Sequence, residues 1–409
     1  MAKHNHPSRG AAKKLHGAVS IHGVDACNLL RILREQNVKS HQELQQLSGL
    51  SSARLSEALA LLQAKHLIEP LSQRNKTDGG FLHPRVNANY GCVIGVDIGG
   101  TNLRIALADT NGTIRGKWSA TTKGSASAGM VVAQISKGVD HLLRETATSR
   151  SSLRAIAAGA PGVTDRDAGI VFATSYLKGW KNVPLAQLLN SKLRVPAIVE
   201  NDVKLAAIGE NWAGAARGVR NFVFLAIGTG IAAGIFVNGQ LVHGADWVAG
   251  EVGYMIVPGT PTVPAGEGMP GALESMIGGE GLKQQWLRAQ GNKRSNGTTD
   301  LSATGIFYHA LAGDRLAKNI LEDSARILAH AIYNISTVLN CSLFVLGGGV
   351  GMSGPLLAAT QKALEPYTQP SRANLITSAL GQDAQLIGAI RLALDKAESE
   401  IDLKLSRAK

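Results

Sequence analysis

Residues 92–109 read CVIGVDIGGTNLRIALAD. The apolar run Cys92 to Val96 has the length and composition of a buried strand, and Asp97 closes it just before the turn Gly99-Gly100-Thr101. A second apolar run, Arg104 to Ala108, follows at once, with Asn111-Gly112 as the next turn, so the spacing predicts a hairpin. Glycines at 99 and 100 allow backbone amides to approach a phosphate. An aspartate at the strand end can hold the water shell of a metal ion. Alone, such a turn is weak, because short glycine turns are common structural punctuation.

The same form returns later in the chain. Phe222 to Ala226 is an apolar strand that runs into Gly228-Thr229-Gly230 and then Gly234, with Asn238-Gly239 as its hairpin turn. A third cluster, Gly347-Gly348-Gly349, follows the strand Leu343 to Leu346 and precedes a helix, where Gly348 can lie against an adenine ring or ribose. Two similar phosphate hairpins predict an internally duplicated α/β fold with a nucleotide between its halves. The glycines also exclude a membrane span at Phe222 to Val237, the most apolar region of the chain.

Upstream of Gly91 the pattern is helical. Asp25 is placed to cap a helix whose Leu29, Leu30, Ile32 and Leu33 form one stripe ending near Asn37. Ser40 opens a second helix, Glu43 completes a capping box, Leu44 and Leu47 supply the buried face, and Gly49 stops it. Ser51 or Ser52 starts a third, with Leu55, Leu59 and Leu62 inward and Arg54, Ser56 and Glu57 outward. Short apolar segments, His66 to Leu71 and Phe81 to Val86, flank the polar turn Ser72 to Gly80 with Arg74 and Lys76. Three helices and a wing form a winged helix-turn-helix. In that arrangement Ser51, Ser52, Arg54 and Ser56 face the major groove of double-stranded DNA, and Arg74 and Lys76 meet phosphate. The alternative is a small three-helix interaction bundle.

Charge favours the DNA reading. The net charge is +12, and residues 1–90 hold twelve Lys/Arg against six Asp/Glu, so half of the excess lies in under a quarter of the 409 residues. An apolar content of 44% supports about two or three domains. Three cysteines, Cys27, Cys92 and Cys341, have neither disulfide-framework nor metal spacing, which fits a reducing cytoplasm.

From residue 91 to about 395 the chain resembles the ROK family, named for repressors, open reading frames and kinases. The resemblance rests on Asp97-Ile98-Gly99-Gly100-Thr101, Ala160-Pro161-Gly162, Leu177-Lys178-Gly179-Trp180, Glu200-Asn201-Asp202, Gly228-Thr229-Gly230 and Ala249-Gly250-Glu251-Val252-Gly253, in that order. It implies a duplicated actin/hexokinase-like (ribonuclease H-like) sugar-kinase fold behind the winged helix-turn-helix. The implied divisions are a basic tail at 1–20, the DNA-binding domain at 21–88, lobes at 89–205 and 206–395, and a charged tail at 396–409. By resemblance Asp202 is the general base, and Gly162, Asn201, Glu251 and Glu274 join it in binding sugar hydroxyls. Asp97, Gly99, Gly100, Thr101, Gly228, Thr229, Gly230 and Gly348 would hold ATP and Mg2+.

Two departures stand out. The family's usual zinc site, one His and three Cys, falls here on Tyr254, Ala265, Glu267 and Ala272, so no structural zinc is expected. Tyr176 stands where the kinases often have Asn, which bears on the substrate. The whole reading is a sugar-responsive transcriptional regulator, a repressor of carbohydrate genes, binding an operator as a homodimer or homotetramer with a sugar or sugar phosphate as effector. The alternative is an ATP-dependent kinase of a hexose or amino sugar.

Overall fold

A computed structural model of the chain describes residues 21–36, 38, 40–69, 84–122, 126–173, 177, 179–263, 266, 269–290, 302–368 and 372–407. Contacts divide the chain into two units: Met1–Tyr90 with Ala397–Lys409, and Gly91–Lys396.

The first unit holds helices α1 (Ile21–Glu35), α2 (His41–Ser48) and α3 (Ser52–Ala64). Ser40 caps α2, its Oγ accepting from the Glu43 amide at 3.0 Å. Gly49 ends it at φ 67° and donates to Gln45 O. A Cβ at Gly49 would touch nothing, so the backbone angle, not space, requires glycine there. Ser51 caps α3 by accepting from the Arg54 amide. Leu29, Leu30, Leu44, Leu55 and Leu62 share one core with Ile68 and Val86, which pair across an antiparallel bridge. Ser51, Ser52, Arg54 and Ser56 are exposed. Arg74 and Lys76 lie outside the described residues.

Three expectations change in this unit. Asp25 does not cap α1, which is already helical from Ile21. It is buried instead, and its carboxylate receives Arg54 Nε at 2.8 Å and Nη2 at 2.7 Å. Leu47 is 39% exposed, because the eight-residue α2 buries only Leu44. Residues 396–407 are not a tail: they continue helix α13 (Ala384–Arg407), whose Ile401 packs on this unit's core and whose Glu398 pairs with Arg34.

The second unit begins with β1 (Cys92–Ile98), β2 (Asn102–Asp109), β3 (Ile114–Thr121), α4 (Ala128–Glu145) and β4 (Leu153–Ala160). A small sheet of β5 (Val163–Asp165), β6 (Ile170–Ala173) and β7 (Lys181–Val183) precedes α5 (Leu185–Leu193), β8 (Ala197–Asn201) and α6 (Asp202–Ala213). The second half holds β9 (Phe222–Ile227), β10 (Ile231–Val237), β11 (Gln240–Leu241), α7 (Glu274–Ile277), α8 (Gly279–Gln290), α9 (Ala303–Leu311) and α10 (Arg315–Leu339). It ends with β12 (Leu343–Gly347), α11 (Gly348–Gly351), α12 (Gly354–Leu364), β13 (Asn374–Thr377) and the start of α13.

The two large sheets have orders β3-β2-β1-β4-β8 and β11-β10-β9-β12-β13. In each, an antiparallel hairpin adjoins two parallel strands. This is the duplication that the repeated glycine hairpins announce. Each sheet has its own core, one around Ile94, Val96, Ile105 and Leu142, the other around Phe224, Leu225, Phe344 and Leu328.

Glycines make room for the helices between the sheets. A Cβ at Gly95 on β1 would lie 2.9 Å from Ile390 of α13, and one at Gly234 on β10 would lie 2.4 Å from Ala207 of α6. The two helices touch each other through Gly209 and Gly388, where an added Cβ would reach Ala384 O at 2.3 Å or Leu205 O at 1.8 Å. No helix among the described residues is long and apolar enough to cross a membrane.

Candidate functional site

Parallel pairing sets the site's location. In the register of the first sheet Asp97 lies opposite Gly159 of β4, and Ala160 opposite Asn201 of β8, so the carboxyl ends of three strands meet at one edge. That edge of an α/β sheet is where ligands ordinarily bind. Asp97, the loop after Ala160 and the start of α6 are thereby brought together.

Asn201 is the N-cap of α6: its Oδ1 accepts from the Lys204 amide at 3.0 Å. Its Nδ2 donates to Gly162 O at 3.1 Å and to Asp202 Oδ1 at 3.2 Å. Gly162 has φ 95°, an angle that glycine adopts without strain. Asp202 Oδ1 also takes the Val203 amide at 2.8 Å. Burial pushes the Asp202 carboxyl up to about 7, Asp97 and Glu251 add like-charge repulsion, and backbone hydrogen bonds oppose the rise. A carboxylate near neutrality is well matched to accepting a proton from a hydroxyl.

Glu251 and Glu274 come from the second half. Glu274, at the start of α7, accepts the Ile231 amide at 3.0 Å and so anchors α7 beside the turn Gly228-Thr229-Gly230. The Gly279 amide donates to Gly228 O at 2.7 Å, a second tie to that turn. Burial raises the Glu251 pKa, the Lys204 ammonium opposes this, and Glu274 adds repulsion.

The two glycine hairpins suit a polyphosphate. Gly99 N–H bonds Asn102 O at 2.8 Å and Gly228 N–H bonds Gly230 O at 2.9 Å, giving tight turns. Nothing would meet a Cβ at Gly228 or Gly349, so backbone there is open to a ligand. Gly348, at φ 78°, packs so close to Ile227 that a Cβ would lie 2.4 Å from its carbonyl oxygen. Asp97 has a partner: Arg104 Nε and Nη2 bond its Oδ2 at 2.9 and 2.6 Å. A divalent ion would therefore rely chiefly on phosphate and water oxygens, as Mg2+ commonly does.

Tyr254 is 58% exposed and Ala272 is buried, while Ala265, Glu267 and Tyr176 lie outside the described residues. A phenol, two methyl groups and the single carboxylate of Glu267 supply no tetrahedral ligand set, and zinc does not fit these positions.

The chain matches the ROK family over residues 93–396. It belongs to the ROK family. Among ROK-related proteins it is 33% identical to a glucokinase of Halalkalibacterium halodurans over 308 residues, 72% of this chain and 92% of that one. It is 25% identical to a putative xylose repressor of a Caldicellulosiruptor species over 335 residues, 80% of this chain and 84% of the relative. A crystal structure of a ROK family transcriptional regulator, a homologue of the E. coli MLC protein, has the same fold at TM-score 0.80 and 21% identity, covering 94% of this chain and 99% of its own.

The motif residue Glu200 gains partners in this ROK body that motif reading does not give, and Lys204 and Arg104 lie outside the quoted motifs. Glu200 is fully buried, with His243 Nε2 donating to it at 2.7 Å and the Arg166 guanidinium forming a looser ion pair with it at 3.9 Å. Lys204 is 3% exposed, and its Nζ donates to Trp247 O at 2.8 Å. Arg104 sits on Asp97. The one available sequence signal was a basic residue in the first turn of α6, where a cation opposes the helix dipole.

Proposed function

We propose that this ROK protein is a sugar-responsive DNA-binding regulator whose second unit senses the sugar. The observation that carries the reading is the first unit. Helix α2, the left-handed Gly49 and helix α3 form a helix-turn-helix, with Ser51, Ser52, Arg54 and Ser56 on its exposed face. The glucokinase relative matches 72% of the chain and the xylose repressor relative 80%. A sugar would bind through Gly162, Asn201, Asp202, Glu251 and Glu274, and lobe closure around it would change operator affinity. The protein acts as a homodimer or homotetramer, since a helix-turn-helix dimer reads two half-sites about one DNA turn apart.

The test is selection of bound DNA from a random pool by the full-length chain, repeated with hexoses, pentoses, amino sugars and their phosphates. An enriched palindrome whose occupancy responds to one sugar supports the proposal. Absence of any enriched site refutes it.

A second reading, phosphotransfer from ATP to a hexose or amino sugar, is favoured by Asp202. When bound, Mg2+ and ATP would supply the phosphoryl group at the glycine turns. This chain's part is to hold the sugar through Asn201, Glu251 and Glu274 and to receive the hydroxyl proton on Asp202. ATP turnover with the same sugars decides it: no phosphorylation of any of them removes this reading.

A further inference from the structure

We propose that Lys204 is the positioning residue that sets the spacing between the two halves of the hydroxyl-binding set, Asn201 and Asp202 on one side and Glu251 on the other. The inference rests on the sugar-site reading for its function but not for its geometry. Lys204 is the third residue of α6, two after Asp202, and is the only lysine in the buried class among the described residues. Its backbone amide holds Asn201 Oδ1 at 3.0 Å, which orients the Asn201 side chain towards Gly162. Its Nζ holds Trp247 O at 2.8 Å. Trp247 has φ 65°, unusual for a bulky residue, and stands four positions before Glu251.

One carbonyl does not account for a buried ammonium. Burial lowers the Lys204 pKa, and its place in the first turn of a helix adds unfavourable dipole energy. What opposes both is negative charge from Glu200 and Glu251. Glu251 benefits in return, since Lys204 offsets part of its burial and the repulsion from Glu274. The loop 243–251 is held at other points too. His243 donates to Glu200, the Ala249 amide bonds His243 O at 3.1 Å, and the Ala233 amide bonds Gly250 O at 2.7 Å. Glu200 and Lys204 both belong to the segment that carries Asn201 and Asp202. The loop bearing Glu251 is thus fastened to that segment at its start by Glu200 and in its middle by Lys204.

The test uses the full-length protein and two readouts. Hydrogen exchange is followed over 243–251, with β9 and β12 as internal controls. Lys204→Met, close in length but uncharged, is expected to speed exchange in the loop by about tenfold or more while β9 and β12 stay protected. Calorimetry with D-glucose and N-acetyl-D-mannosamine as probes is expected to show about tenfold weaker binding, with no further loss when Lys204→Met is added to Glu251→Gln. Should Lys204→Met loosen β9 and β12 as well, Lys204→Leu, which also removes the donor to Trp247 O, takes its place under the same criteria. Unchanged loop exchange, or a loss of affinity that simply adds to that of Glu251→Gln, overturns the assignment. Wild-type protein that binds neither probe counts against the sugar reading for these two sugars, while loop exchange still decides the geometric role of Lys204.

Discussion

Asp202 and Arg54 show how much a single side chain's surroundings decide. Asp202, with its pKa raised to about 7, is neutral below that pH and charged above it, so any step that needs it as proton acceptor strengthens as pH rises through about 7. In the phosphotransfer reading, turnover should climb between about pH 5.5 and 8 and then level off, and Asp202→Asn should lower it by about 10²- to 10⁴-fold and flatten the profile. A wild-type profile that falls over this range would remove Asp202 from the role. Arg54 looks like a base reader in sequence, yet its Nε and Nη2 hold the buried Asp25. Arg54→Ala leaves that carboxylate without its partner. Because the Arg54 side chain is 48% exposed, the cost is expected to be about 1–2 kcal/mol, below that of a fully buried pair. Faster hydrogen exchange in α1 and α3 of the full-length variant is the check; an unchanged rate with lost base preference would return Arg54 to direct reading.

At the level of elements, the loop between β11 and α7 depends on Gly250. Its φ is 96°, and a Cβ there would lie 2.0 Å from Ala233 O, the carbonyl of the residue whose amide bonds Gly250 O. Gly250→Ala cannot relieve the clash by a side-chain rotation, so either that hydrogen bond or the position of Glu251 must give way. We expect a loss of more than about 2 kcal/mol in denaturant unfolding and, under the proposed sugar site, weaker sugar binding. Wild-type values for both would show that the loop adapts freely. The contrast with Gly49 is informative: there a Cβ has space, only the angle matters, and asparagine should serve nearly as well.

For the whole molecule, the consequential element is α13, which starts in the ROK body and ends in the first unit. Removing residues 397–409 takes Ile401 from the helix-turn-helix core and Glu398 from Arg34, whose side chain is only 5% exposed. An unpaired buried guanidinium costs several kcal/mol, so the truncated chain should lose protection in α1 while the body keeps its fold, and under the proposed regulator function it should lose DNA binding as well. Circular dichroism and hydrogen exchange, read beside an operator-binding assay, test this. Retained DNA affinity would show that the first unit stands without the C-terminal helix.

Local signals are legible in the amino-acid sequence itself. Ser40, Glu43, Gly49 and Ser51 mark the helix-turn-helix, because caps act within one turn of their own backbone. The paired runs ending in Gly99-Gly100-Thr101 and Gly228-Thr229-Gly230 mark two hairpins and their duplication, because adjacent antiparallel strands need only a short turn between them. What stays hidden joins residues far apart in sequence. Arg54 meets Asp25 across 29 positions, and His243 meets Glu200, and Lys204 meets Trp247 O, across 43 each. Arg34 finds Glu398 from the far end of the chain, which turns an expected tail into part of a core. Periodicity and capping specify an element from within. Which charged side chains are buried together depends on how distant elements pack, and packing alone decided that Lys204 and Glu200 would stand beside Asn201, Asp202 and the loop bearing Glu251.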